Sequence, residues 1–77
     1  MTATKFFPAT LLGGYVIFRT MYASLAREGA DQISSTWTGD SCEYWSVVMR
    51  TADGIDVVFD IDLEQDQVWM QIQDLRD

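Results

Sequence analysis

The sequence predicts an α+β domain in which one N-terminal helix packs on a four-stranded antiparallel β-meander. Three observations lead to this fold class. Apolar residues recur at helical spacing in the first third of the chain, and beyond residue 31 their period changes to two. The segments of period two are joined by connectors of three or four residues, too short for parallel neighbours. Residues 1–77 are therefore expected to form a single domain.

The helix is predicted over residues 9–28, where an apolar stripe alternates four- and three-residue steps. Pro8 suits the first helical turn, and Gly29 suits the position after the helix ends. Ile17 and Met21 widen the stripe. Its main members are Leu11, Tyr15, Phe18, Tyr22 and Leu25.

The start of this helix is less well defined than its end. Gly13 and Gly14 lie inside the predicted helix, and each glycine costs about 1 kcal/mol relative to alanine. The alternative is that the helix begins near Tyr15 and that residues 3–12 are extended or wrap across the domain.

Four strands follow, because apolar and polar residues alternate and the connectors GDS, TADG and LEQD are rich in turn-forming residues. Asp53 and Gly54 in particular suit a tight hairpin. The last segment also fits a helix, since Val68, Ile72 and Leu75 are helically spaced, but its strict alternation favours a strand. The predicted strands are residues 32–38, 42–50, 55–62 and 67–73.

Charge and composition exclude several functions. The net charge of −7 lies entirely in residues 53–77, and such an acidic field repels nucleic acid and anionic membranes. Cys42 is the only cysteine and the chain has no histidine, so an internal disulfide and a zinc site are excluded. The apolar run near the N-terminus is too short and too interrupted to span a bilayer. We expect a cytoplasmic protein without cofactors.

The segment GIDVVFDIDLEQDQ, residues 54–67, carries five carboxylates and no basic residue. Strand alternation turns Phe59 and its apolar neighbours towards the helix and turns the acids outwards, in a row spaced by about 6.8 Å. Trp69 is expected to point outwards beside them, together with Tyr44 or Trp45, depending on the strand register. The predicted partner-binding residues are Asp56, Asp60, Asp62, Glu64, Asp66 and Trp69.

Metal binding and catalysis are disfavoured for this segment. Asp60, Asp62 and Glu64 match the first ligands of an EF-hand loop, but Gln65 and Gln71 occupy the positions that require glycine and glutamate. An open sheet face desolvates a carboxylate pair poorly, and Cys42 has no evident base partner, so it is expected to be a buried or edge residue. We therefore expect no metal site and no enzymatic activity.

In length, in its pattern of one helix and a meander, and in the acidic stretch DGIDVVFDIDLEQD, the chain resembles the small acidic proteins that phages and mobile elements use against host defence, such as anti-CRISPR and antirestriction proteins. The resemblance implies an inhibitor that blocks the DNA- or RNA-binding surface of a host enzyme. Because residues 1–52 are neutral, a mixed acidic and aromatic face is favoured over a pure charge mimic. The spacing of about 6.8 Å between successive carboxylates on a strand also matches two nucleotide steps of a nucleic-acid strand, at about 3.4 Å each.

Two other interpretations remain open. In the first, the acids only keep one sheet face hydrated, although solvated faces usually mix charges of both signs. Alternatively, the protein is a homodimer or a small subunit that assembles through the apolar segment MTATKFFPATLL. Salt-insensitive association that fails when Phe6, Phe7 or Leu12 is made polar would identify that second role.

Overall fold

The computed structural model describes the backbone of residues 2–7 and both backbone and side chains of residues 13–74. The α+β class and the four-stranded meander are confirmed, and each predicted strand lies within two residues of its observed bounds. The last segment is a strand rather than a helix. The elements are β1 Thr2–Phe7, α1 Gly14–Arg27, β2 Asp31–Thr38, β3 Tyr44–Arg50, β4 Ile55–Asp62 and β5 Gln67–Asp74.

A fifth strand, β1, extends the meander. The sheet order is β1-β5-β4-β3-β2 and every neighbouring pair is antiparallel. In the register of β1 and β5, Thr2 lies opposite Gln73 and Phe7 lies opposite Val68. The first strand and the second therefore form opposite edges of one sheet, and α1 connects them across one face. The alternative that residues before the helix are extended holds for 2–7.

The core lies between α1 and the central strands. Phe18 is its centre, because its ring meets Phe59 at a centroid distance of 5.2 Å and Trp45 at 5.0 Å, both edge to face. Tyr15 departs from the predicted stripe and is 40% exposed. The buried apolar residues are Phe18, Ala30, Val47, Met49, Val57, Phe59, Ile61, Val68 and Met70.

The helix begins at the glycine pair. Gly13 is the N-cap residue with φ 74°, and Gly14 packs so closely on the turn between β4 and β5 that an added Cβ would lie 2.6 Å from the carbonyl oxygen of Asp66. Gly14 is therefore needed at a close backbone contact, and Gly13 is needed for its positive φ beside the Asp66 carboxylate; these requirements outweigh the low helix propensity of glycine. Pro8 and Leu11, like Leu12 and Leu75, fall outside the described residues.

The end of the helix agrees with the sequence prediction. Gly29 has φ 96°, and its amide donates to the carbonyl of Ala26 at 3.1 Å, while the Ala30 amide donates to Leu25 at 3.0 Å. This left-handed turn satisfies the last carbonyls of α1 and leads directly into β2. Within the described part of the chain, no helix combines the length and apolar character needed to cross a bilayer.

Candidate functional site

The sheet face opposite α1, here called the outer face, carries no helix within residues 13–74. The register of β3 settles the orientation that the sequence left open: Tyr44 pairs with Asp62 on the outer face, and Trp45 packs on the core. Asp60 lies opposite Trp69 on the same outer face, as predicted. The carboxylates along β4 differ sharply, however, in what each of them contacts.

Asp56 forms an ion pair. The Arg50 side chain donates two hydrogen bonds to its carboxylate, from Nε at 2.7 Å and from Nη2 at 3.0 Å, and Asp56 is only 7% exposed. The hydrogen bond from Arg50 holds the pKa of Asp56 below its ordinary value, although burial opposes this, and the same contact raises the pKa of Arg50. The expectation that no basic residue balances the acidic row was therefore wrong at Asp56, because Arg50 is its cross-strand neighbour.

Asp62 shapes the turn that follows β4. Its Oδ1 accepts hydrogen bonds from the amides of Glu64 at 3.0 Å and Gln65 at 3.1 Å, and the residue is 6% exposed. This pattern is a side-chain-stabilised turn, in which an aspartate takes the place of a backbone acceptor. Its carboxylate is therefore directed into its own chain.

Asp66 caps the helix from a distant part of the sequence. Its Oδ1 accepts a hydrogen bond from the Tyr15 amide at 2.9 Å, and its carbonyl oxygen accepts one from the Gly14 amide, also at 2.9 Å. Negative charge at a helix N-terminus is favourable because the first amides are unpaired and the helix dipole is positive there. Asp66 thus fastens α1 to the turn between β4 and β5.

Asp60 remains the exposed acid of the strand. It borders a shallow pocket of about 210 Å³ on the outer face, next to Tyr44, which is 47% exposed, and half-buried Trp69. The floor and rim are completed by Thr38, Trp45, Ser46 and Ile61. A carboxylate beside two aromatic rings offers both a counter-ion and π faces to a cation.

Further acids gather at one end of the sheet, here called the acidic end. The Leu63 amide donates to the Glu43 carbonyl at 2.8 Å, so the turn after β2 and the turn after β4 lie side by side. Asp40 and Glu64 are exposed in these two turns, and Glu43 is half-buried, with Oε2 accepting from the Ser41 amide. Sequence reasoning missed Asp40 and Glu43, although alternate turns of any meander fall at the same end of its sheet.

Potential metal ligands are dispersed over the described part of the chain. Among residues 13–74, no three histidine, cysteine, aspartate or glutamate side chains gather as a metal-binding group. Cys42 was expected to be a buried or edge residue and is instead exposed in the turn after β2, with φ 53°.

The six predicted binding residues therefore separate into two groups. Asp56, Asp62 and Asp66 stabilise the fold through internal bonds, whereas Asp60 and Trp69 border the outer pocket and Glu64 lies at the acidic end. Comparison with models of protein families, with curated proteins and with solved structures found no match to this chain.

Proposed function

We propose that this protein is a non-enzymatic inhibitor that binds a basic surface of a nucleic-acid-handling enzyme through the outer pocket and the adjoining acidic end. The observation that carries the proposal is the environment of Asp60. It is exposed, it stands next to Tyr44 and Trp69, and it forms no ion pair with any described side chain, unlike Asp56.

The pocket suits a single lysine or arginine side chain of the partner. A cation over an aromatic face gains about 0.5–2 kcal/mol, depending on how far it is desolvated. Asp60 adds a charge-assisted hydrogen bond to the same cation, and aromatic residues in partly closed pockets are typical binding hot spots. Together these contacts favour one inserted basic side chain as the anchor of the interface.

The wider charge distribution favours an enzyme that handles nucleic acid. Such enzymes expose lysine and arginine to hold phosphates, and a chain of net charge −7 is attracted to these surfaces over distances of about 10 Å at moderate salt. Asp40 and Glu64 extend the negative field beyond the pocket. Inhibition then follows from steric occupation of the phosphate-binding surface.

The proposed mode of binding differs from one in which a row of carboxylates imitates successive phosphates. Evenly spaced carboxylates along β4 would require Asp56 and Asp62 to leave their internal partners, at a cost to the fold. Binding of one basic side chain of the partner in the pocket, within the surrounding negative field, requires no such change. We therefore infer a mixed acidic and aromatic interface.

The test is capture of partners from a host lysate by immobilised protein, at low and high salt, with Asp60→Asn as the variant and Asp53→Asn as the matched control. Asp53 is exposed in the turn between β3 and β4, at the opposite end of the sheet. A captured enzyme is then purified, and its binding to labelled nucleic acid is measured by fluorescence anisotropy with added inhibitor.

The expected result is displacement of nucleic acid by the wild type and by Asp53→Asn, with at least tenfold weaker displacement by Asp60→Asn and by Trp69→Ala. High salt should weaken the displacement by the wild type. Equal potency of Asp60→Asn and the wild type would contradict the proposed site. Capture without displacement of nucleic acid would contradict inhibition by occupation.

The alternative role, assembly through the N-terminal segment, stays a prediction. Residues 2–7 pair with β5 of the same chain, and Leu12 lies outside the described residues.

A further inference from the structure

Strand β2 is an exposed edge whose protection against pairing is limited to one bulge near its start. It lies at the end of the sheet, so one side of its backbone faces no strand of the described chain, and all eight of its residues are exposed. Edge strands of natural proteins commonly carry lysine or proline, which block pairing with another strand. The sequence of β2, DQISSTWT, contains neither, and a single bulge between Gln32 and Ser34 is its only irregularity.

Two large apolar residues of β2 are exposed. Trp37 is 49% exposed and stacks on Trp45, with ring centroids 4.7 Å apart and planes 5° from parallel. Ser35, on the same face as Trp37, accepts a hydrogen bond from Trp45 Nε1 at 2.8 Å, so this is the face that carries α1. Ile33 is 46% exposed and is the extra residue of the bulge, between Gln32 on the helix face and Ser34 on the outer face.

We propose that β2 pairs with β2 of a second copy of this chain, antiparallel and centred on Ser35. In that register Ile33 of each copy lies opposite Trp37 of the other, and with Ile33 turned onto the helix face at the bulge the same apolar contact forms twice around a two-fold axis. Such self-complementarity is what a symmetric dimer interface requires. The product is a continuous ten-stranded sheet with both helices on one face.

Charge supports a second copy as the occupant of this edge. Residues 1–52 carry four basic and four acidic residues, so the half of the chain that contributes α1 and β2 is neutral. Asp31 is the one charged residue of β2, and in the proposed register it lies opposite Gly39 of the other copy. The described acidic residues after position 52 lie on β4, on β5 and in the turns that flank them, and β3 separates β4 from β2.

A cleft beside β2 provides room for the contact between the two copies. It occupies about 360 Å³ between α1 and the edge of the sheet, and Tyr22 bridges it by donating a hydrogen bond to Gln32 Oε1 at 3.0 Å. In the proposed dimer the clefts of the two copies face each other across the paired strands. Ile33 and Trp37 of both copies then lie between the two helices and lose their contact with water.

The test measures molar mass by sedimentation velocity over a series of protein and salt concentrations, under reducing conditions that exclude a Cys42 disulfide. Ile33→Lys and Trp37→Lys are the variants. Val16→Lys is the matched control, because Val16 is an equally exposed apolar residue (48%) that lies on the helix and does not line the cleft beside β2. Circular dichroism of each variant confirms that it is folded.

The expected result is a concentration-dependent dimer for the wild type and Val16→Lys, and a monomer for Ile33→Lys and Trp37→Lys. Added salt should strengthen the dimer, because it screens the repulsion between two chains of charge −7, whereas it should weaken the proposed binding to a basic partner. A wild type that stays monomeric at every concentration would overturn the proposal. A dimer that persists in both lysine variants would overturn it as well.

Discussion

Asp66 provides a sharp test of how the helix is held on the sheet. Asp66→Ala removes the acceptor for the Tyr15 amide, worth about 1 kcal/mol as a helix cap. It also removes a negative charge at the helix N-terminus, worth about 0.3–1 kcal/mol. Asp66 has φ 55°, a left-handed conformation that costs about 1 kcal/mol for alanine and less for aspartate. We expect a loss of about 2 kcal/mol in the free energy of unfolding.

Two further substitutions separate these contributions. Asp66→Asn keeps an acceptor and tolerates the left-handed conformation, so it should lose only the charge contribution, about 0.5 kcal/mol. Asp66→Gly loses both the cap and the charge but relieves the backbone strain, so it should lose about 1 kcal/mol. The expected order of stability is therefore wild type, Asn, Gly and then Ala.

Urea unfolding monitored by tryptophan fluorescence gives the free energies, and thermal unfolding gives an independent check. For a domain of this size, the loss in Asp66→Ala corresponds to a fall in Tm of about 8–16 °C. An alanine variant within 0.5 kcal/mol of wild type, on the order of an ordinary surface change, would refute the capping role. Equal losses for Asn and Ala would show that the acceptor atom is not what matters.

Three other changes test the core, the glycine contact and the ion pair. Phe59→Ala should lose about 3–5 kcal/mol in urea unfolding, because the fully buried ring packs edge to face on Phe18. Gly14→Ala should destabilise by about 1–2 kcal/mol, since overlap with the Asp66 and Gln67 backbone outweighs the helix propensity of alanine; a more stable variant would disprove the close contact. The lowered pKa of Asp56 means that its pairing with Arg50 contributes stability above about pH 4 and that this contribution is lost as the pH falls further. The stability difference between wild type and Arg50→Gln should thus be largest at pH 7 and vanish at low pH, whereas a difference independent of pH would contradict the ion pair.

The sequence predicted local structure well because local patterns determine it. Alternation and turn residues located the four meander strands, and Gly29 marked the end of the helix. Propensity misled at Gly13 and Gly14, because the reason for them is a contact with residues more than fifty positions away. An extended segment before the helix was one of two alternatives, but its pairing as β1 was not predicted, since its partner strand is at the other end of the described chain.

The sequence predicted on which sheet face the candidate residues lie, but not which group each carboxylate contacts. Alternation correctly assigned Asp56, Asp60 and Asp62 to one face of the sheet. It could not distinguish them, because an ion pair across β3 and a hydrogen-bonded turn depend on register and side-chain rotamers. Residue spacing predicts the sheet face on which a side chain lies. Whether its carboxylate can bind a partner protein depends on the internal hydrogen bonds that it already forms.

The pairing of β1 with β5 has a consequence for the order of folding. These strands are separated by almost the whole described chain, so their contact closes the longest loop in the domain and carries a large entropic cost. During synthesis, at about 5–20 residues per second, β1 leaves the ribosome first and must wait several seconds for its partner. The hairpins of the meander have no such delay. We therefore expect β1 to join the sheet last, and an unfinished chain to leave the backbone of β1 unpaired.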